Sequence, residues 1–228
     1  MGGRLDVAAL ADALGAADKA SQRRAADEFV SLAARGIAVE AALHAALASG
    51  CARQRWGAAF TLAQLGSLPR GAIPVLLEAL GMPDGDVRWA AADILIRQGM
   101  AAGAALAALA RDGAPAQRKM ALYCLRELGA WTAATDALAR GALADADAGV
   151  RLAAMASLAR QALDRAAASA AVSLLLRDPV PGVRRAAAVT LGRLGVDLPA
   201  VRAALETAAA GNDPWLARAA AGALGRLG

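Results

Sequence analysis

The stretch "VRRAAAVTLGRLG", residues 183–195, decides the fold, because close copies of it recur along the same chain. They are "QRWGAAFTLAQLG" (54–66), "VRWAAADILIRQG" (87–99), "QRKMALYCLRELG" (117–129), "VRLAAMASLARQA" (150–162) and "LARAAAGALGRLG" (216–228). The second residue of each copy falls at Arg55, Arg88, Arg118, Arg151, Arg184 and Ala217, in steps of 33, 30, 33, 33 and 33. One further step back reaches Gln22 in "SQRRAADEFVSLAARG", a degenerate first copy, so seven units tile the chain. A unit this short cannot bury its own apolar face and must stack on its neighbours.

Composition says the units are helical. The chain of 228 residues is 58% apolar, and Ala and Leu, strong helix formers, dominate that fraction over Ile, Val and Thr. Cys51 and Cys124 are 73 residues apart, which makes neither a disulfide framework nor a zinc pattern; both fall inside expected helices as small apolar residues. The opening "MGGRLDVAALADALG" is an amphipathic, Asp-broken run rather than a signal-peptide core. With no stretch matching the roughly 18 apolar residues of a membrane span, a cytoplasmic protein is expected.

Within each unit a first helix, such as "AIPVLLEAL" (72–80) or "LPAVRAALETAAA" (198–210), precedes the quoted one across a short turn with Gly, Pro or Asp. The Pro in "AIPVLLEAL", the Val-Arg pairs at 87–88, 150–151 and 183–184, and the terminal Leu-Gly pairs give the chain its likeness. It resembles HEAT-like repeats of the phycobilisome-lyase type over nearly its full length. That resemblance implies an all-α, right-handed α-solenoid of about seven helical hairpins forming a single domain, residues 1–228. It does not select a function, because such repeats serve scaffolds, chromophore lyases, DNA glycosylases and other enzymes.

Asp112, Asp145 and Asp178 each lie six residues before the Arg of their own unit. The resemblance implies that these acids and the repeated arginines form a structural ladder between adjacent units rather than a phosphate-binding row. Residues 1–114 carry 11 basic and 11 acidic side chains and residues 115–228 carry 14 and 9, so the net +5 sits in the second half and favours an acidic partner there.

Numbering each second helix from its ladder position, apolar residues recur at −1, +3, +7 and +10 and define the buried face at about 100° per residue. Positions +1 and +5 point the other way, toward what the resemblance makes the concave surface. Position +1 reads Arg23, Trp56, Trp89, Lys119, Leu152, Arg185 and Arg218; position +5 reads Asp27, Phe60, Asp93, Tyr123, Ala156, Val189 and Gly222. Four of the seven aromatics thus fall on one expected exposed line in three consecutive units, and exposed aromatics mark a binding surface.

Trp56, Phe60, Trp89 and Tyr123 are expected to surround Asp93, with Asp27 on the first unit and Lys119 and Arg126 on the fourth. A carboxylate walled by rings suits an ammonium group, through ion pairing and cation–π attraction of about 0.5–2 kcal/mol per contact. If the walls exclude water, Asp93 also has the raised pKa a general base needs. The alternative is a protein-docking hot spot in which Asp93 merely pairs with an arginine.

The remaining candidates read as structural. His44 is a half-buried or outer-face residue, Glu28 a cap or a partner for Arg24, and Trp131 and Trp215 packing residues at helix starts. A single histidine allows no histidine-rich metal site, and the His-Glu iron motifs of the HEAT-like deoxyhypusine hydroxylases are absent. With no Gly-rich phosphate loop or nucleophile–histidine set, no cofactor is expected. The C-terminal "GRLG" follows a second helix with Leu224 and Leu227 and no polar capping unit, so an oligomer or partner face is expected there.

Three function classes remain. One is a scaffold for a peptide, a carrier or another acidic protein. A second is a cofactor-free biosynthetic enzyme, in which Asp93 acts as general base on an amine while Arg126 or Lys119 stabilises a leaving anion. Length, Ala/Arg-rich composition and the isolated aromatic–carboxylate group resemble HEAT-like synthases that close an aziridine ring on a carrier-bound amine. The third is a nucleic-acid enzyme, since "WAAAD" (89–93) is similar to the Trp and Asp four apart in HEAT-like alkylpurine DNA glycosylases. Modest charge with two lysines argues against a duplex-binding groove.

Overall fold

A computed structural model describes residues 7–129 and 131–227. The first six residues of the stretch read as no leader, and Gly228 of "GRLG", lie outside the described residues. All regular structure among the described residues is helical, and the second helices form where the repeat predicts them.

The chain divides into two compact units, Met1–Gln98 and Gly99–Gly228. The first holds three hairpins: α1 (Val7–Ala13) with α2 (Lys19–Ala34), α3 (Glu40–Ser49) with α4 (Ala52–Gln64), and α5 (Ile73–Ala79) with α6 (Gly85–Arg97). The second holds four: α7 (Gly103–Asp112) with α8 (Pro115–Glu127), α9 (Ala133–Gly141) with α10 (Ala148–Gln161), α11 (Arg165–Ser173) with α12 (Pro181–Leu194), and α13 (Pro199–Ala209) with α14 (Pro214–Leu224). In the first unit α2, α4 and α6 pack in that order; in the second, α8, α10, α12 and α14 do the same. The first helices form the other layer through α1 on α3, α7 on α9 and α11 on α13.

Local signals set the helix ends. Asp18, Asp147 and Asp213 are N-caps whose carboxylates accept from backbone N–H groups of the first turn, and Pro115, Pro181, Pro199 and Pro214 occupy the first helical position, where no N–H is needed. The Leu-Gly pairs stop the second helices: Gly195 takes φ 65°, a left-handed conformation that costs glycine least. Between these ends the −1, +3, +7 and +10 positions of α12, namely Val183, Ala187, Leu191 and Leu194, are buried as the periodicity predicts.

The Arg–Asp ladder is present, and Arg118, Arg151 and Arg184 each do two jobs. Arg118 Nη1 donates to the Gly113 carbonyl in the turn before its own helix, while Nε and Nη2 reach the two oxygens of Asp145 in the next hairpin at 2.8 and 2.7 Å. Arg151 donates to the Asp145 and Ala146 carbonyls, and its Nη2 donates to Asp178 Oδ1 at 2.9 Å; Nε lies 2.8 Å from Oδ2 but out of hydrogen-bonding alignment. Arg184 continues to Asp213 at 3.3 Å, and in the first unit Arg55 uses Glu78 at 3.0 Å. Asp112 is exposed at the end of α7, and Arg88 closes its own turn by donating to the Met82 and Pro83 carbonyls.

Two residues depart from expectation. Cys51 is not inside a helix but is the exposed N-cap of α4, whereas Cys124 is buried. Trp215, expected to pack, is 63% exposed, because the Asp213 cap starts α14 one residue earlier and leaves the indole at the helix mouth. Trp131 is partly buried, and its indole Nε1 donates to the buried Asp136, which also accepts from the Leu163 N–H and Arg140. His44 is exposed on α3. Among the described residues no helix is long and apolar enough to cross a membrane.

Candidate functional site

The outward positions +1 and +5 are exposed or half-buried on every second helix but one. Arg23, Asp27, Trp89, Asp93, Lys119, Leu152, Arg185, Val189 and Arg218 are all exposed, and Phe60 and Tyr123 are half-buried. Trp56 is the exception and the correction: it is 7% exposed. Its helix α4 lies between α2 and α6, and side chains from both neighbours close over it.

That closure builds a pocket of about 110 Å³ within the first unit. Trp56 and Phe60, one turn apart on α4 with ring centroids 5.6 Å apart, form one wall; Ala26 of α2 and Val87 and Ala90 of α6 complete the apolar lining. Small residues on the flanking helices are what leave room. Gly57 lines the same wall, and position 57 has no room for a side chain because its Cβ would lie 2.9 Å from Leu14 Cβ.

The pocket rim is an ionic strap. Lys19 Nζ, in the first turn of α2, lies 2.5 Å from Asp84 and 3.1 Å from Asp86 at the start of α6, and Arg23 lies 3.8 Å from Asp86. The hydrogen bond from Lys19 holds the Asp84 carboxyl below its ordinary range, and the two acids in turn raise the Lys19 ammonium above its own. Sequence reasoning missed this strap, although Lys19 at −3 and Asp86 at −2 from their ladder positions carry the signal.

Asp93 lies elsewhere. It is 63% exposed and forms an i,i+4 ion pair with Arg97 at 2.9 Å, and neither it nor Asp27 lines the pocket. Trp89, 54% exposed, precedes it by one turn on α6. Lys119, Tyr123 and Arg126 belong to α8 of the second unit. There the Arg126 guanidinium covers the Tyr123 ring at 4.9 Å, and its Nε donates to Glu127, which also accepts from Arg160 at 2.7 Å. Arg126 is therefore engaged by the Tyr123 ring and by Glu127 rather than open to a developing anion. Among the described residues no group of three or more His, Cys, Asp or Glu side chains is placed to hold a metal ion.

A profile of HEAT repeats matches residues 73–159 and 135–225. The chain belongs to the HEAT-repeat family. Among solved structures this HEAT-repeat chain is similar to YibA from Escherichia coli, at 15% identity and a TM-score of 0.54 over 96% of this chain and 92% of that one. It is similar to an engineered protein at 19% identity and a TM-score of 0.54, over 97% and 68%. A looser likeness, with a TM-score of 0.39 at 25% identity over 97% and 88%, is to the complex of CpcE and CpcF of phycocyanin lyase from Nostoc. No protein of curated function matches the chain. The first two likenesses show the fold alone.

Proposed function

We propose that this HEAT-repeat protein is a binding protein whose first unit takes an amine-bearing group of a small molecule or carrier-attached intermediate in the Trp56–Phe60 pocket. The observation that carries the reading is the seat that Lys19 occupies. An ammonium already lies within 3.1 Å of both Asp84 and Asp86 at the mouth of an aromatic-walled cavity. A ligand ammonium entering beside it takes over part of that carboxylate pair, and the apolar remainder of the ligand meets Trp56, Phe60 and Val87. The carboxylate role expected of Asp93 thus passes to Asp86. Asp93, open to water and closed onto Arg97, has little of the enclosure that a general base needs, which favours binding over catalysis.

The test is calorimetric titration with benzylamine and with benzyl alcohol as its uncharged counterpart. Benzylamine should bind more tightly than the alcohol. Asp86→Asn should weaken it, and Lys19→Ala, which removes the resident ammonium, should tighten it several-fold. Equal affinities for amine and alcohol, or no response to Lys19→Ala in a folded protein, overturn the reading. Asp93→Asn should leave the titration unchanged; a loss there returns the site to the Trp89–Asp93 face.

A further inference from the structure

The second unit carries a set of cations that its ladder does not use. Arg185 and Arg193 on α12, Arg218 on α14 and Arg226 just beyond it are exposed, and among the described residues none of them forms an ion pair. They occupy positions +1 and +9 from the ladder residue, as do Lys119 on α8 and Arg160 on α10. Eight residues of helix separate the two positions by about 12 Å, so the cations form two rows across the helices, both filled at α12 and α14 and each broken once before them, by Leu152 at +1 of α10 and by Glu127 at +9 of α8. The lane between the rows is floored by short side chains at +5: Ala156, Val189 and Gly222. Arg226 leans into it, its guanidinium lying against Gly192 and Gly222. The only acid in either row is Glu127, which the neighbouring Arg126 and Arg160 already neutralise.

We infer that this face binds an extended acidic segment of a partner protein, laid across α10, α12 and α14 between the two rows. Adjacent packed helices are about 8–10 Å apart, and an extended chain rises about 3.3 Å per residue, so every third residue meets the next helix. Side chains of an extended segment alternate in direction, which lets carboxylates reach both rows while the backbone lies on the short-chain lane. Guanidinium groups are the donors suited to such carboxylates, which they pair in bidentate fashion. Nucleic acid fits less well. The lane offers single strands no open ring for stacking, since Tyr123 at its edge lies under Arg126. This inference is independent of the amine pocket, which belongs to the other unit.

Fluorescence anisotropy with a labelled peptide of Glu-Gly-Ser repeats tests it, with Gln-Gly-Ser repeats as the neutral counterpart. Expected are binding of the Glu peptide only, weakening with salt, and a loss of about tenfold or more in Arg185→Glu/Arg218→Glu. A charge-matched control, Arg165→Glu/Arg177→Glu, alters the α11 hairpin away from these rows and should bind as wild type does, with circular dichroism confirming that both variants are helical. Absence of Glu-peptide binding, or equal losses in both variants, overturns the inference. Tighter binding of single-stranded or duplex DNA than of the peptide, lost in the same Arg185/Arg218 variant, overturns it in favour of a nucleic-acid surface.

Discussion

Arg151 and Asp178 form the most enclosed ion pair among the described residues, with side chains 9% and 3% exposed and an oxygen 2.8 Å from Nε. The pair ties the α9–α10 hairpin to the turn that begins α12, and the same Asp178 carboxylate accepts from the Val180 N–H to shape that turn. Removing one member therefore strands a buried guanidinium and undoes a turn at once.

Asp178→Ala should destabilise the second unit by about 3 kcal/mol, the lower end of what a broken buried pair costs. Asp197→Ala, which breaks the open Arg202–Asp197 pair with side chains 39% and 41% exposed, should leave the midpoint unchanged. Urea unfolding followed by circular dichroism compares the two. Equal midpoints for both variants would show that the ladder does not hold the hairpins together.

The same carboxylates set the acid limit of stability. Arg118 beside Asp145 holds its carboxyl below the ordinary range. At Asp178 burial pushes the value up but is outweighed by the Arg151 hydrogen bond and the Val180 N–H, and at Asp213 the Leu216 N–H leads a downward shift. Groups with lowered folded values add stability that is fully present above the unfolded carboxyl value of about 3.9 and is lost as pH falls through the folded values. The melting temperature should be level above about pH 5 and drop below about pH 4, with a shallower drop in Asp178→Asn. A decline already under way at pH 6 contradicts this assignment.

Much of the fold was legible because the repeat states its own register. Once Arg118, Arg151 and Arg184 are aligned, the buried face and the turns follow from helix geometry, and the ladder partners Asp145 and Asp178 follow from the resemblance to HEAT-like repeats. The site was less legible. Position +1 points outward on any second helix, yet Trp56 is buried, and Lys19, Arg23 and Asp86, 30 to 37 residues from it in the chain, line the same pocket from the two flanking helices. Periodicity gives the direction of a side chain relative to its own helix. It does not say whether two flanking helices meet above it.

Gly57 tests how tightly α4 is seated. A methyl group there would lie 2.9 Å from Leu14 Cβ and 3.1 Å from the Leu14 carbonyl oxygen, so the backbone at the end of α1 has to move. Gly57→Ala should cost about 1–3 kcal/mol by overpacking, despite the better helix propensity of alanine. Gly222→Ala, where nothing but the flexible end of Arg226 comes within 3.9 Å, should be neutral or stabilising. Thermal melts of the two variants decide it, and a stabilised Gly57→Ala would mean that α1 does not pack as described.

The two cysteines report on these events separately. Cys51 is an exposed N-cap, whereas burial pushes the Cys124 thiol up to about 12, so at mild pH almost none of it is the reactive thiolate. Ellman's reagent should label one thiol quickly and the second only as α8 opens to solvent. In a stacked repeat, opening at one hairpin is coupled to the stability of its neighbours. Asp178→Ala should therefore accelerate the slow phase, by up to about a hundredfold if exposure of Cys124 requires the whole unit to open, while Asp197→Ala leaves it unchanged. A slow phase indifferent to Asp178→Ala would show that the α7–α8 hairpin opens on its own, below the level at which the ladder acts.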